Sequence, residues 1–129
     1  MVAAGQDLRV LVVEDNDKNL KLVRDLLQFR GITATEARSG REALAAAAGC
    51  CPDIVLLDID LPDMPGTKVL EALRLLEGMA AVPVVAVTAY AMKGDAERLL
   101  ADGFDGYIAK PIDVRTFVDT VVARAAGVG

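Results

Sequence analysis

Short apolar segments, almost unbroken by polar residues, recur along the chain and alternate with segments of helical length. Three of them, at residues 10–13, 54–57 and 84–87, are built mainly from valine, leucine and isoleucine. A strand that is covered on both faces has this composition, because neither face meets water. Two weaker strand segments at residues 33–36 and 106–109 complete five strand–helix units. The alternation predicts an α/β fold: a doubly wound, five-stranded parallel sheet, (βα)5, with helices on both faces.

The segments between the strands carry the signals of amphipathic helices. In the first, Leu20, Val23 and Leu27 recur at a spacing that places them on one helical face. Ser39, followed three residues later by Glu42, is a capping-box pattern, which predicts that the second helix begins there. Three glycines stand where helices are expected to end in a left-handed residue: Gly31, Gly78 and Gly103.

The length of 129 residues suits one domain of ordinary size. We expect a loose N-terminal tail at residues 1–7, a single domain at residues 8–125 and no effector domain. The sequence shows neither a signal-peptide pattern nor an uncharged stretch long enough for a membrane helix, so we expect a cytoplasmic protein with no membrane partner. Cys50 and Cys51 are adjacent, and we expect both to stay reduced.

The charge balance and the absence of histidine exclude several functions. The formal net charge is −5, which argues against binding nucleic acid through many phosphate contacts. Because the chain contains no histidine, it cannot use Ser-His-Asp or Cys-His catalysis, or bind a metal through imidazole. For the same reason it cannot itself supply the phosphohistidine of a phosphotransfer reaction.

Polar residues directly follow four of the predicted strands: Glu14, Asp15, Asp58, Thr88 and Lys110. In open parallel sheets these strand ends meet at one edge, where ligands bind. Three carboxylates close together repel one another and must be neutralised by a proton, a cation or a metal ion. Ligands that are all oxygen favour a hard cation such as Mg²⁺, which would neutralise an incoming phosphoryl group. The alternative is that these acidic residues only cap the helices that follow them.

The remaining residues at this edge admit two interpretations each. Lys110 could pair with Asp58 and then with a phosphoryl oxygen, or it could be a solvated charge. Thr88 could offer its hydroxyl to the same oxygen, or simply end a strand. Tyr107 is either a half-buried strand aromatic or a residue that reorients. The Lys110–Pro111 bond could be cis or trans.

These residues and their spacing closely resemble the receiver domain of two-component response regulators. The resemblance rests on Glu14-Asp15, on Asp58 within LLDIDLPDMPG, on Thr88 within VAVTAYAM and on Lys110-Pro111. The intervals from Asp15 to Asp58 to Thr88 to Lys110 are 43, 30 and 22 residues, which match that family. The resemblance covers residues 8–125 and is strongest to CheY-like, DivK-type single-domain regulators and to the receivers of hybrid kinases. Glu14 stands where many members carry aspartate, a familiar variant that leaves the metal assignment standing.

The resemblance implies a sheet of strand order 2-1-3-4-5 and a phosphorylation switch. Asp58 would accept a phosphoryl group from a phosphohistidine on a histidine kinase or a histidine phosphotransfer protein. The implied Mg²⁺ ligands are Glu14, Asp15, Asp58 and the backbone carbonyl of Asp60. Thr88 and Lys110 would contact the bound phosphoryl group. The chain would then be a switch that assists its own phosphorylation and dephosphorylation, not a separate enzyme.

The resemblance also implies how the switch is read. Movement of Thr88 and Tyr107 would carry the change to the face formed by the fourth helix, the fifth strand and the fifth helix. A downstream protein would bind this face or the first helix. The implied contacts with the kinase or phosphotransfer protein are Asn16, Asn19 and Leu20. Asp60 and Tyr90 lie at positions that tune the phosphoryl lifetime in this family. Onward relay of the phosphoryl group and action as an allosteric ligand both stay open.

Three other functions compete with this interpretation. A haloacid-dehalogenase-type phosphatase also uses an aspartyl phosphate, but its acidic pair follows the nucleophile, whereas Glu14 and Asp15 precede Asp58 here. A receiver-shaped scaffold that is never phosphorylated would be expected to lose Asp58, Lys110 or the acidic pair. A flavin carrier of similar fold would need a phosphate-binding loop after the first strand and aromatic residues around the ring.

Overall fold

Five strands alternate with five helices in the computed structural model, which describes residues 8–89 and 93–126. The strands are β1 (Arg9–Val13), β2 (Thr33–Ala37), β3 (Ile54–Asp58), β4 (Val84–Thr88) and β5 (Gly106–Ala109). The helices are α1 (Asp17–Phe29), α2 (Gly40–Cys50), α3 (Gly66–Leu75), α4 (Lys93–Ala101) and α5 (Phe117–Ala125). The predicted tail at residues 1–7 and Tyr90 lie outside the described residues.

The strands form one parallel sheet in the order β2-β1-β3-β4-β5. The predicted fold class and strand order are therefore confirmed. The order reverses between β1 and β3, since the chain moves outward from β1 to one edge and then returns to build the other. At such a switch point the loops that follow neighbouring strands diverge and leave a cleft at the carboxyl ends.

Helix boundaries follow the local sequence signals. Asn16 caps α1, because its side-chain oxygen accepts hydrogen bonds from the N–H groups of Lys18 (3.0 Å) and Asn19 (3.1 Å). Ser39 caps α2 by accepting from the N–H of Glu42 at 3.1 Å, as the capping-box pattern predicts. The predicted left-handed glycines all have positive φ: Gly31 at 76°, Gly78 at 82° and Gly103 at 106°.

The core lies in two apolar layers, one on each face of the sheet. Successive side chains of a strand point to opposite faces, so Leu11 and Val13 pack toward α2, α3 and α4, whereas Val10 and Val12 pack toward α1 and α5. All five residues of β3 and of β4 are buried. Each fully buried valine or leucine contributes about 1.5–3 kcal/mol relative to an exposed one, and this burial holds the strand ends at the cleft in place.

Arg74, in the last turn of α3, joins three parts of the chain. Its guanidinium donates to the carbonyl of Val82 at 2.5 Å and to the carboxylate of Asp105 at 2.7 Å. Asp105 also accepts a hydrogen bond from the N–H of Val84, the first residue of β4. These contacts fix the ends of β4 and β5 that lie opposite the cleft.

The cysteines and the lengths of the helices bear on two further expectations from the sequence. Cys50 is half-buried and Cys51 is exposed, and both are free thiols. Among the described residues, no helix is both long enough and apolar enough to cross a bilayer.

Candidate functional site

Three carboxyl groups meet at the carboxyl ends of β1 and β3. Glu14 and Asp15 follow β1 directly, and Asp58 is the last residue of β3. One oxygen from each lies within 4.8 Å of the others. Glu14 and Asp58 are both 4% exposed, whereas Asp15 is exposed at the mouth. The predicted convergence of these residues at one sheet edge is thus what the structure shows.

Lys110 reaches this acidic cluster from the end of β5. Its ammonium lies 3.0 Å from the carboxylate of Glu14 and 3.0 Å from that of Asp58. The N–H of Lys110 donates to the carbonyl of Thr88 at 2.8 Å, which ties the lysine backbone to the end of β4. The Lys110–Pro111 peptide bond, whose isomer the sequence left open, is cis.

The backbone fixes the remaining carboxylate oxygens. The N–H of Asp60 donates to Oδ1 of Asp58 at 2.9 Å, while Lys110 contacts Oδ2. The N–H of Asn16 donates to Oε2 of Glu14 at 3.3 Å. Both buried carboxyl groups are therefore held in one orientation and present oxygens to the same open cleft.

The ammonium of Lys110 does not balance the buried carboxyl groups. Burial, together with the hydrogen bond and charge of Asp58, raises the pKa of Glu14 to about 7, although Lys110 lowers it in part. Burial opposes ionisation of Asp58 too, but hydrogen bonds from Glu14, the Asp60 N–H and Lys110 lower its pKa overall. Burial disfavours the charged form of Lys110, yet its contacts with Glu14 and Asp58 raise its pKa overall. A proton is therefore retained on part of the Glu14 population at neutral pH, at a place where a divalent cation would relieve the same repulsion.

The cleft has a volume of about 650 Å³ and opens to solvent between α1 and the loop after β3. Besides the acidic cluster and Lys110, its lining includes the first turn of α1 and Asp60. The side-chain atoms in its lining that could bind a metal are carboxylate and amide oxygens, which suit Mg²⁺ rather than a softer metal. The residues present thus fit the cation that the sequence predicts.

Thr88 and Tyr107 are the two residues that the resemblance assigns to a switch. Thr88 is fully buried at the end of β4 and pairs in register with Ala109, the residue before Lys110. Tyr107 is half-buried on β5 and packs against the layer formed with α2, α3 and α4. The two residues therefore lie on neighbouring, paired strands.

One of the three predicted partner contacts does not face the surface. Asn16 and Asn19 line the cleft, but Leu20 is 1% exposed and packs into the core beneath α1. The prediction that Leu20 contacts a partner is therefore wrong. Its helical spacing with Val23 and Leu27, which placed it on the apolar face of α1, was the stronger signal.

Sequence reasoning overlooked Asp63, which lies in the loop between β3 and α3. Its carboxylate accepts hydrogen bonds from the N–H groups of Gly40 at 2.8 Å and Arg41 at 3.1 Å, at the start of α2. An aspartate in the segment LPDMPG was a visible turn signal. Nothing in the sequence indicated that the partner of this aspartate would be Gly40, 23 residues earlier in the chain.

A family model described as the response regulator receiver domain matches residues 10–122. Among similar proteins, the polar-differentiation response regulator DivK of Brucella ovis is 46% identical over 112 residues, which span 87% of this chain and 91% of DivK. DivK of Brucella anthropi is 45% identical over the same span.

Solved structures with the same architecture include a response regulator and a receiver domain. The chemotaxis response regulator CheY4 of Vibrio cholerae superimposes with a TM-score of 0.85 at 28% identity, covering 92% of this chain and 98% of CheY4. The receiver domain of the sensor histidine kinase PA1611 from Pseudomonas aeruginosa superimposes with a TM-score of 0.82 at 30% identity, covering 94% and 98% of the two chains. That structure has a magnesium ion coordinated in its active-site cleft.

Proposed function

Because the chain belongs to the family of response regulator receiver domains, we propose that Asp58 accepts a phosphoryl group from a phosphohistidine of a partner protein. The observation that carries this proposal is the Asp58 carboxylate itself. It is buried at the base of an open cleft, lies 3.0 Å from the ammonium of Lys110 and shares the cleft with two further acidic residues. A carboxylate in this position can be reached from the cleft by a phosphoryl group. Lys110 lies on one side of it, and the acidic residues Glu14 and Asp15 lie nearby.

In the chemical step, the phosphoryl group moves from an imidazole nitrogen of the partner to the carboxylate of Asp58. A carboxylate oxygen of Asp58 forms a bond to phosphorus, the P–N bond of the phosphohistidine breaks, and its electron pair returns to the imidazole ring. Lys110 then offsets the negative charge that arrives on the phosphoryl oxygens. We propose that the hydroxyl of Thr88 hydrogen-bonds to one of those oxygens. Hydrolysis of the acyl phosphate by water reverses the switch.

We propose Glu14, Asp15, Asp58 and the backbone carbonyl of Asp60 as the ligands that hold Mg²⁺. Two buried carboxyl groups and one exposed one face a single ammonium, so the cleft carries excess negative charge before any phosphoryl group arrives. When bound, Mg²⁺ supplies the positive charge that lets a phosphoryl group approach. Burial first, and then the hydrogen bond and charge of Asp58, raise the pKa of Glu14 to about 7, and a divalent cation at this place would favour its charged form.

The output is a change in which proteins bind. A phosphoryl group adds about −1.5 to −2 charges at the cleft, next to the end of β4. We propose that Thr88 moves toward it and that Tyr107 follows, which alters the face formed by α4, β5 and α5. The half-buried position of Tyr107 suits this role, because a ring with one edge in solvent can reorient without opening the core.

The phosphodonor is proposed to dock beside the cleft. Asn16 and Asn19 line one wall, and an adjoining groove of about 370 Å³ is bounded by Leu22, Pro111 and Ile112 and shares Lys110 with the cleft. A polar rim next to an apolar groove suits a histidine kinase or histidine phosphotransfer protein that must bring its histidine to Asp58. A cytoplasmic location, where such donors take ATP, belongs to the same proposal.

The test is the intact mass after incubation with Mg²⁺ and acetyl phosphate. We expect one added phosphoryl group, stable in acid and released by hydroxylamine, on the wild type and on the control Asp102→Asn, but not on Asp58→Asn. Label on Asp58→Asn would contradict the proposal. A wild type that takes no label and does not respond to beryllofluoride with Mg²⁺ would favour an unphosphorylated scaffold. Sustained turnover of a small phosphomonoester would favour the phosphatase.

A further inference from the structure

The loop between Asp58 and α3 carries the Asp60 carbonyl and is held at its base by a close backbone contact. The N–H of Gly66 donates to the carbonyl of Ile59 at 3.3 Å. A Cβ added at Gly66 would lie 2.8 Å from the Cα of Ile59, so the two backbones meet where no side chain fits. Residues 60–65 between them form a loop that is closed at its base. The middle of this loop, which we call its tip, is held by contacts outside the loop.

Asp63 fixes that tip. Its Oδ1 accepts from the N–H of Gly40 at 2.8 Å and its Oδ2 from the N–H of Arg41 at 3.1 Å. These are the first two residues of α2, whose N–H groups have no partner inside the helix. The N–H of the third residue, Glu42, is satisfied by Ser39. Two different side chains thus cap one helix end, and of these two caps Asp63 is the one that belongs to the loop.

An apolar contact beside these hydrogen bonds holds the same two segments together. A Cβ added at Gly40 would lie 2.5 Å from Cγ and 2.7 Å from Sδ of Met64. The side chain of Met64 therefore occupies the space that a larger residue at position 40 would need. With Asp63 bonded and Met64 packed against the same helix turn, the loop has one position relative to α2.

We propose that Asp63 is a positioning residue for the magnesium site: by bonding the loop to α2, it fixes the place of the Asp60 carbonyl. This inference rests on the proposed function, because the carbonyl matters only if the cleft binds Mg²⁺. Asp60 lies between two fixed points, since its N–H is bonded to Asp58 on one side and Asp63 is bonded to α2 on the other. Loss of the Asp63 hydrogen bonds leaves the packing of Met64 and the contact of Gly66 with Ile59 to hold the loop, which constrains the Asp60 carbonyl less closely.

The competing explanation is that Asp63 only stabilises α2, as Ser39 does. The two explanations differ in what Mg²⁺ binding should show. Groups that orient metal ligands without touching the metal typically change affinity by about 10–100-fold. Asp63 acts on one neutral ligand among several, so we expect a loss of about 3–10-fold.

The test compares Asp63→Asn and Asp63→Ala with the matched control Ser39→Ala, which removes a cap from the same helix end but leaves the loop bonded. Mg²⁺ affinity is measured by isothermal titration calorimetry and stability by thermal unfolding. We expect all three variants to unfold at a lower temperature, and only the two Asp63 variants to bind Mg²⁺ more weakly. In amide hydrogen exchange without metal, Gly40 and Arg41 should both lose protection in Asp63→Ala, and one of the two should lose it in Asp63→Asn, because the amide keeps a single acceptor oxygen.

Each other outcome overturns a defined part of the inference. If Asp63→Asn and Asp63→Ala lose amide protection but bind Mg²⁺ as the wild type does, Asp63 serves only α2. If Ser39→Ala weakens Mg²⁺ binding equally, the effect comes from helix stability and not from the loop. If the wild type binds no Mg²⁺ at all, the proposed metal site fails first, and the positioning role falls with it.

Discussion

Two buried carboxylates share one ammonium in the cleft, and this imbalance decides how single substitutions there behave. Lys110 lies 3.0 Å from both Glu14 and Asp58. When both are ionised, two like charges within 4.8 Å at an effective dielectric near 20 repel by about 3 kcal/mol, and Glu14 relieves part of this by keeping a proton on part of its population near neutral pH. The folded chain tolerates this repulsion because the core layers on both sides of β1 and β3 hold the strand ends together.

We predict that Asp58→Asn stabilises the metal-free protein. The substitution leaves Glu14 and Lys110 as a balanced pair and removes most of the repulsion, while the amide keeps an acceptor for the Asp60 N–H. Allowing for a weakened contact with Lys110, the free energy of unfolding should rise by about 1–2 kcal/mol. Urea unfolding in EDTA at neutral pH measures this change.

The same urea unfolding is then repeated with Mg²⁺ in place of EDTA. Mg²⁺ should stabilise the wild type and have little effect on Asp58→Asn, because the variant lacks one ligand and the charge that attracts the cation. The exposed substitution Asp102→Asn serves as the control and should respond to Mg²⁺ as the wild type does. An Asp58→Asn protein that is less stable than the wild type in EDTA would show that the carboxylates are not in conflict.

The residues of the cleft could be predicted from sequence because each lies at the end of a strand segment, with a strong apolar pattern before Glu14 and Asp58 and a weaker one before Lys110. Glu14, Asp58 and Lys110 come together as their positions predict. The pKa of Glu14 and the contact of Asp63 could not be predicted, since both depend on distances between loops. Leu20 was misplaced because proximity to the cleft in sequence outweighed its place in the apolar stripe of α1.

At the scale of elements, boundaries were predictable where a residue acts on its own backbone. Ser39 with Glu42 marks the start of α2, and Gly31 lies just beyond the end of α1, each through a contact or dihedral of that residue. β2 was harder, because it lies at the edge of the sheet and only Ala37 of its five residues is buried. Its pattern is therefore weak, and it ends one residue later than predicted.

Asp63 gives the start of α2 a pH-dependent stability. The N–H of Gly40, assisted by that of Arg41, holds the pKa of Asp63 below its ordinary value. The folded chain therefore binds this proton less tightly than the unfolded chain. The contribution is fully present above the unfolded pKa, near 3.9, and is lost as the pH falls through the lower folded pKa.

We accordingly predict how Asp63→Asn compares with the wild type. The variant should be less stable by a constant amount from about pH 5 to 7, and the difference should shrink below about pH 4 as the wild-type carboxylate is protonated. Urea unfolding of both proteins across this range, without metal, gives the difference. A gap that widens in acid would mean that the carboxylate of Asp63 is not the acceptor for these N–H groups.

At the scale of the whole molecule, the fold places the cleft on buried strands and the face that changes in the proposed switch at the less buried edge of the sheet. β3 and β4 are buried along their whole length, so Asp58 and Thr88 stand at the ends of fixed strands. β5 lies at the sheet edge, and only Gly106 of its four residues is buried. We therefore expect a charge added at Asp58 to displace β5 more easily than β3 or β4. Tyr107 lies in β5, and Lys110 directly follows it.

This arrangement predicts that Thr88→Val separates phosphorylation from its consequence. Valine keeps an apolar group of similar size at the buried position but removes the hydroxyl, so Asp58 should still take beryllofluoride with Mg²⁺. In the wild type, the adduct should alter amide hydrogen exchange along Gly106–Ala109 and the start of α5. In Thr88→Val that change should be reduced about tenfold, equal to a coupling free energy of about 1.4 kcal/mol. Thr67→Val, on the exposed face of α3, should behave as the wild type. Equal responses in Thr88→Val and the wild type would mean that Lys110, and not Thr88, carries the signal to β5.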